Sequence, residues 1–229
     1  MKVIGIGGYA RSGKDAFVSI AKKILTKNGL TAERFAFADN LKKEVGGMLK
    51  AHDFNLDIYT TDATEKTNLR PLLVWWGCAR RDLSCSGLYW VEQVHLQLLK
   101  IQEKYRNEGL SDDNFVALIS DVRFVNEVKW LQNTWNGDFI HLRRFSMQKC
   151  RDGYGDDFMC PVFDAAPNEE ESKNDPLIQE IANVKVEWES KGIPPGGCVT
   201  QDEYLQGKVL NALNLTRYFK HQTIGILST

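Results

Sequence analysis

Residues 7 to 15 read Gly-Gly-Tyr-Ala-Arg-Ser-Gly-Lys-Asp, which sets Gly8, Gly13 and Lys14 at the spacing G-x-x-x-x-G-K. Glycines at these two places let the backbone curl until several N–H groups point at one anion, and the lysine reaches the outermost phosphates of that anion. By itself the pattern is weak. Its placement strengthens it: the apolar run Val3 to Ile6 reads as a strand before the loop, and Phe17, Ile20, Ala21, Ile24 and Leu25 share one helical face after it. A helix opening at Lys14 adds its positive end to the same anion site. Gly8, Arg11, Ser12, Gly13, Lys14 and Asp15 are therefore the expected phosphate-contacting residues. Asp15 stands where such a loop ordinarily carries Ser or Thr, and it has two readings. It caps the helix, or its carboxylate supplies an oxygen to Mg²⁺ in place of the hydroxyl.

Phosphoryl transfer needs positive charge and alignment around clustered phosphates more than covalent chemistry, and other residues fit that need. Arg70 and Arg81 are eleven positions apart, three helical turns, so one helix projects both along the same side, with Gly77 between them for close approach. Phe115 to Ser120 is an apolar run of the kind a central parallel strand shows, and it ends at Asp121, in the manner of a Walker B element. Arg123 follows two residues on and would enter the crevice outside the carboxyl ends of the sheet. Asp39 is expected to end a strand over Arg34 to Ala38 and to face that crevice, where it orients the acceptor. Trp75, Trp76 and Trp90 read chiefly as core residues, with Trp90 retained as a nucleobase contact. The four histidines show no metal or triad spacing.

Strand and helix signals alternate along the 229 residues. A helix follows Asp39 with Leu41, Val45, Met48 and Leu49 as its stripe, Pro71 opens another that runs to about Arg81, and a longer one covers residues 89 to 105. Strands are expected at Phe139 to Leu142 and Val184 to Trp188, and a helix over Asp202 to Leu213. Residues 143 to 172 lose apolar periodicity and gather Arg143, Arg144, Lys149 and Arg151, which reads as an excursion from the core. The expected fold class is α/β: a three-layer domain with a mostly parallel sheet, one domain over 1–229, and 143–172 as a lid that brings Arg143 onto the phosphates. A net charge of −1 gives no basic field for nucleic acid, and no run of about 18 apolar residues suggests a membrane span. Five cysteines without a C-x-x-C pair read as reduced thiols in a cytoplasmic protein.

Four stretches together resemble the deoxynucleoside monophosphate kinases of bacteriophages: Arg11 to Asp15 (RSGKD), Phe37 to Asp39 with Leu41-Lys42, Arg70 to Gly77 (RPLLVWWG) and Ser120 to Glu127 (SDVRFVNE). A G-K-D loop is usual in that family, so the resemblance makes Asp15 a mark of the branch. It covers about residues 1 to 145. The chain departs at Val74, where the family often has Gln, and at Cys78-Ala79, which replace a frequent Thr-Asp or Thr-Glu. The resemblance implies a P-loop kinase fold, ATP as donor, Mg²⁺ as cofactor and a nucleoside monophosphate as acceptor. Lys14, Asp39 and Arg123 would serve catalysis, and Asp39, Lys42, Arg70, Arg81, Trp90, Asp121 and Arg123 the acceptor. Asp15 and Asp121 would hold the metal, and the compartment would be the host cytoplasm for a phage-encoded protein. Neither nucleic acid nor membrane is an expected partner, and a homodimer stays open. Animal-type phosphomevalonate kinases carry a similar loop, so phosphomevalonate or dephospho-coenzyme A remains an alternative acceptor, and a non-catalytic nucleotide switch an alternative class.

Overall fold

The computed structural model describes residues 1–54, 56–151, 157–189 and 200–219. In chain order the elements are β1 (Lys2–Gly7), α1 (Lys14–Lys27), β2 (Thr31–Phe35), α2 (Phe37–Ala51), α3 (Ala63–Asp82), α4 (Tyr89–Asn107) and β3 (Phe115–Val122). There follow α5 (Val125–Thr134), β4 (Asp138–Arg151), β5 (Asp157–Phe163), α6 (Glu169–Glu180), β6 (Val184–Glu189) and α7 (Gln201–Leu215). The chain divides into two compact units: Met1–Arg34 with Asp113–Thr229, and Phe35–Asp112.

The first unit is a three-layer α/β body on a mostly parallel sheet of order β2-β3-β1-β4-β5, with β6 also on β4. β1 runs parallel to β3 and to β4, β6 runs parallel to β4 over Ile140 to Phe145, and β5 runs antiparallel to β4. Alternation along the strands feeds both faces. Ile4, Ile6, Val116, Leu118, Ile140 and Leu142 pack with Phe17, Ala21 and Leu25 of α1 and Val209, Ala212 and Leu213 of α7. On the other face Leu131 of α5 approaches so near Gly5 that a Cβ there would stand 2.5 Å from it, and α6 packs on α5. Asp138, 2% exposed, is matched by the backbone N–H and the guanidinium of Arg217 at 2.5 and 2.8 Å, which ties the chain after α7 back to the foot of β4.

Four expectations need correction. The apolar stretch at 34–38 is not one strand: β2 ends at Phe35, Ala36 is the extended residue before α2, and Phe37 is buried in that helix's first turn. Asp39 therefore sits in the first turn of α2, where the helix dipole favours a carboxylate. Pro71 does not open its helix. α3 begins eight residues earlier behind Asp62, whose Oδ1 accepts from the Thr64 and Glu65 N–H groups at 2.9 Å each, and Pro71 lies inside it. The region after Leu142 is no irregular excursion, because β4 continues to Arg151 and turns back as β5, pairing Phe145 with Phe163 through Arg151 with Asp157. Residues 169–172 then belong to α6. Finally, Cys150 and Cys160 are joined by a disulfide across that hairpin, with Cα atoms 5.9 Å apart, while Cys78 and Cys85 are free. Residues 152–156 of the expected lid, the Gly/Pro-rich connection at 191–197 and Cys198 lie outside the described residues.

The second unit is helical. Val45 and Leu49 of α2, Ile58 of the connection before α3 and Leu69 of α3 form its buried cluster, with Leu41, Met48, Leu72, Leu73 and Trp76 packed around them. Arg80 fastens all three helices: its guanidinium pairs with Glu44 of α2 at 2.6 Å and lies 4.2 Å from the ring centre of Tyr89 of α4. No helix among the described residues is long and apolar enough to cross a membrane.

Candidate functional site

The loop after β1 has the backbone its sequence demands. Gly8 at φ 129° and Gly13 at φ 92° adopt conformations closed to most side chains, and Arg11, at φ 68°, enters the left-handed region as a non-glycine. Space is as restrictive as conformation. A Cβ on Gly8 would stand 2.2 Å from the Leu142 carbonyl oxygen, and one on Gly13 would stand 2.4 Å from the ring of Trp188. Trp188 is 3% exposed and donates its indole N–H to the Ser12 carbonyl at 2.8 Å, so β6 supports the loop from beneath. Ser12 is itself buried, and its Oγ has no hydrogen-bond partner among the described residues.

Lys14 opens α1 and folds back over the loop, its Nζ donating to the Gly8 and Tyr9 carbonyls at 2.8 and 2.7 Å. Burial lowers its pKa below the ordinary lysine value of 10.5; repulsion by Arg123 lowers it further, against the opposing pull of Glu171, Asp15 and Asp175. A buried ammonium whose hydrogen-bond partners are two backbone carbonyls is stabilised further by an anion placed beside it. Asp15, next to it in the first turn, is exposed.

The carboxyl end of β3 reaches the same place. Gly5 pairs with Ile119 and Gly7 with Val122, so a register slip puts both Ser120 and Asp121 opposite Ile6. Bulges of this sort re-aim side chains at the ends of strands. Two residues on, the Arg123 N–H is held by Glu127 Oε2 at 2.7 Å, and the Phe124 N–H by the same oxygen at 3.1 Å. Glu127 is thus the structural partner of Arg123 within the SDVRFVNE stretch, fixing its backbone.

Three buried groups that sequence reading missed complete the surroundings. Glu171, 7% exposed in the first turn of α6, accepts from the Ala10 N–H of the loop at 2.6 Å and from the Arg123 guanidinium at 2.9 Å. One turn further, Asp175 meets Nε2 of His141 at 3.0 Å, and His141 is wholly buried on β4 directly beside Gly7. The signal for Glu171 was local and readable: Asn168 caps α6 by accepting the Glu171 N–H, the N-x-x-E form of a helix start. His141 and Asp175 offered none, since 34 residues separate them.

Arg143 lies in β4. It lies over the Phe163 ring at 3.8 Å and pairs with Glu187 at 3.4 Å. The remaining candidates belong to the helical unit. Arg70 and Lys42 come together there, lining with Thr60, Lys66 and Thr67 a cavity of about 230 Å³. Arg81, in the last turn of α3, is outside that lining. Trp90 is buried, donates its indole N–H to the Gly77 carbonyl at 3.0 Å, and lines a second cavity of about 470 Å³ with Asn40, Lys43, Gln93 and Gln97. The close approach at Gly77 is accordingly made by Trp90 and Leu41 of the same unit.

No family model matches the chain, and no curated protein matches it. Solved structures similar to it include the shikimate kinase of Aquifex aeolicus vf5, with 12% identity and a TM-score of 0.35 over 93% of this chain and 96% of that one. A sugar kinase from Janibacter sp. HTCC2649 aligns with 10% identity and a TM-score of 0.34 over 94% and 96%.

Proposed function

We propose that this chain is an ATP-dependent phosphotransferase whose acceptor is a (deoxy)nucleoside monophosphate. The observation that carries the phosphotransferase part is the loop from Gly8 to Asp15: two glycines in positions no side chain fits, at the carboxyl end of a parallel strand, followed by a lysine folded over the loop at the start of a helix. The acceptor class rests on the resemblance of RSGKD, RPLLVWWG and SDVRFVNE to the phage kinases.

In this reading the loop amides and the α1 terminus hold the ATP phosphates, and Lys14 exchanges its two carbonyl partners for phosphate oxygens. An acceptor phosphate oxygen forms a bond to the γ-phosphorus as the bond from that phosphorus to the β–γ bridging oxygen breaks, leaving ADP. Lys14 and Arg123 stabilise the charge on the phosphoryl in flight. Within the helical unit, Lys42 and Arg70 line one cavity and are the proposed holders of the acceptor's phosphate, with Asp39 of the same unit proposed to orient the acceptor. Guanidinium forks suit a dianion better than an ammonium does.

Mg²⁺ fits the oxygen-only donors available. A polyphosphate-bound Mg²⁺ takes one or two carboxylates, with phosphate oxygens and water completing its shell. Asp15 and Asp121 would be those carboxylates; among the described residues no group of three or more metal-ligating side chains occurs. When bound, the ion supplies charge neutralisation at the phosphates. Asp15→Asn is expected to raise the Mg²⁺ concentration for half-maximal rate about tenfold, read from initial rates across a magnesium titration. Gly13 is the N-cap of α1 and Asp15 lies in its first turn, so an unchanged titration with a loss of ~1 kcal/mol or less in stability assigns Asp15 to the helix dipole alone.

Two further results are expected. An anion in the loop favours the Lys14 ammonium and raises its depressed pKa. Binding then takes up a proton in the alkaline window between the free-state and bound-state values, and nucleotide affinity falls there by up to about tenfold per pH unit. Calorimetric titration with an ATP analogue should give flat affinity near neutrality and this decline above it, and Lys14→Arg, which does not titrate, should abolish the slope. Arg70→Ala should raise the acceptor KM about 10- to 100-fold, a loss of roughly 1.5 to 3 kcal/mol, with the ATP KM unchanged. The deciding assay couples ADP release to NADH oxidation and offers each dNMP, each NMP, phosphomevalonate and dephospho-coenzyme A in turn. Stimulation by nucleotides alone supports the proposal. Stimulation by another acceptor moves the enzyme to a different substrate, and nucleotide binding without acceptor-dependent ADP would make the chain a switch.

A further inference from the structure

Arg123 is held at both ends. Its backbone N–H is fixed by Glu127 and its guanidinium by Glu171, at 2.7 and 2.9 Å. The second contact is the unusual one, because the same Glu171 carboxylate also accepts the Ala10 N–H of the phosphate loop at 2.6 Å. A carboxylate 7% exposed is costly to bury, and here it is satisfied by one guanidinium edge, one loop amide and a weaker approach of the Asn168 amide at 3.4 Å. The Arg123 side chain remains 43% exposed, so Glu171 engages one part of a five-donor fork and leaves the rest open to a ligand. The helix carrying Glu171 is itself anchored one turn on, where buried Asp175 meets His141 beside Gly7.

We infer that Glu171 is a positioning residue that acts through Arg123, setting where that guanidinium stands relative to the phosphate loop. The inference rests on the phosphotransferase reading, in which Arg123 touches the transferred phosphoryl group. An arginine released from Glu171 regains its rotamers, and a displaced catalytic group loses rate well before it loses binding.

The test is a double-mutant cycle in the full chain, using Glu171→Gln, Arg123→Ala and their combination. Glutamine keeps a neutral acceptor for the Ala10 N–H but removes the charge that holds the guanidinium. Glu171→Gln is expected to lower kcat about 10- to 100-fold with the ATP KM nearly constant. The double variant should be no slower than Arg123→Ala within about threefold. Glu171→Asp, which keeps the charge but cannot span both partners, should fall between wild type and Glu171→Gln, and it serves in place of Glu171→Gln should that variant not fold. Guanidinium ¹⁵N resonances supply a readout free of turnover: hindered Nη rotation at Arg123 in the wild type, released in either Glu171 variant. Multiplicative losses in the double variant, an unchanged kcat, or equal Arg123 mobility in all proteins would overturn the inference. Absence of phosphoryl transfer in the wild type would instead remove the kinase reading, and the resonances would still decide whether Glu171 holds Arg123.

Discussion

Lys14→Ala should lower the phosphoryl-transfer rate by ~10³-fold or more while leaving the chain folded. The reason is the position of its ammonium. Lys14 lies over the loop on two carbonyls, and its pKa is depressed by burial and by Arg123. Those features mark a cation kept ready for an anion rather than one spent on stability. Its removal takes away two carbonyl contacts that loop backbone and water can replace, whereas in the proposed reaction the transition state loses one of the charges assigned to the moving phosphoryl. Near-normal turnover of a correctly folded Lys14→Ala variant would remove the catalytic assignment of the loop. Circular dichroism and the denaturant midpoint provide the check on folding.

Gly8→Ala should be the most damaging single-methyl change in the loop, with a stability loss of about 3 kcal/mol or more. Two independent penalties coincide there. The φ of 129° lies in glycine's own territory, and the new Cβ would stand 2.2 Å from a backbone oxygen, Leu142 O, which cannot swing away as a side chain could. The same substitution at Gly47, in the middle of α2 with nothing within 4 Å of a built Cβ, should stabilise the chain by roughly 0.5 to 1 kcal/mol, because alanine is the better helix former. Urea titrations of the two variants against wild type should therefore move in opposite directions. A Gly8→Ala chain as stable as the wild type would mean that the loop does not hold the conformation described above.

The loop was legible because everything that makes it is local: a strand, two glycines, a lysine and a helix within 25 residues of one another. The helix boundaries misread from sequence failed for identifiable reasons. At 34–38 the alternation Phe35-Ala36-Phe37-Ala38 has the period of a strand, yet Phe37 is buried as a helical residue, so packing overrode the pattern. Residues 63 to 68 are all exposed, which leaves the first turns of α3 without an apolar stripe; only the Asp62 cap announces them. The charged stretch from Arg143 to Arg151 looked like an excursion because its order comes from β5, a partner whose presence the local sequence does not signal. Within that stretch Arg143 and Arg144 find Glu187 and Asp164.

The site divides in the same way. Gly8, Gly13, Lys14 and Arg123 could be named in advance because motif spacing points to them, and Glu127 was carried in the same stretch without a role. His141, Asp175 and Trp188 could not, because each acts on a residue at least 34 positions away, Trp188 on Ser12 and Asp175 on His141; Glu171 was readable as a helix-start residue, but not as the partner of Ala10 and Arg123. Motifs report the groups that meet a ligand; the groups that hold those in place are found only when the chain has folded.

The Gly8–Asp15 loop is proposed to serve transfer of the γ-phosphoryl group of ATP to a nucleoside monophosphate. The most direct measurement is ³¹P NMR of the chain with ATP, Mg²⁺ and each of the four dNMPs. The γ-phosphate resonance is expected to decay as ADP and the β-phosphate resonance of the matching deoxynucleoside diphosphate grow in equal amounts, with no such conversion by Lys14→Ala. Inorganic phosphate as the sole product, or no loss of ATP with any of the four acceptors, would contradict it.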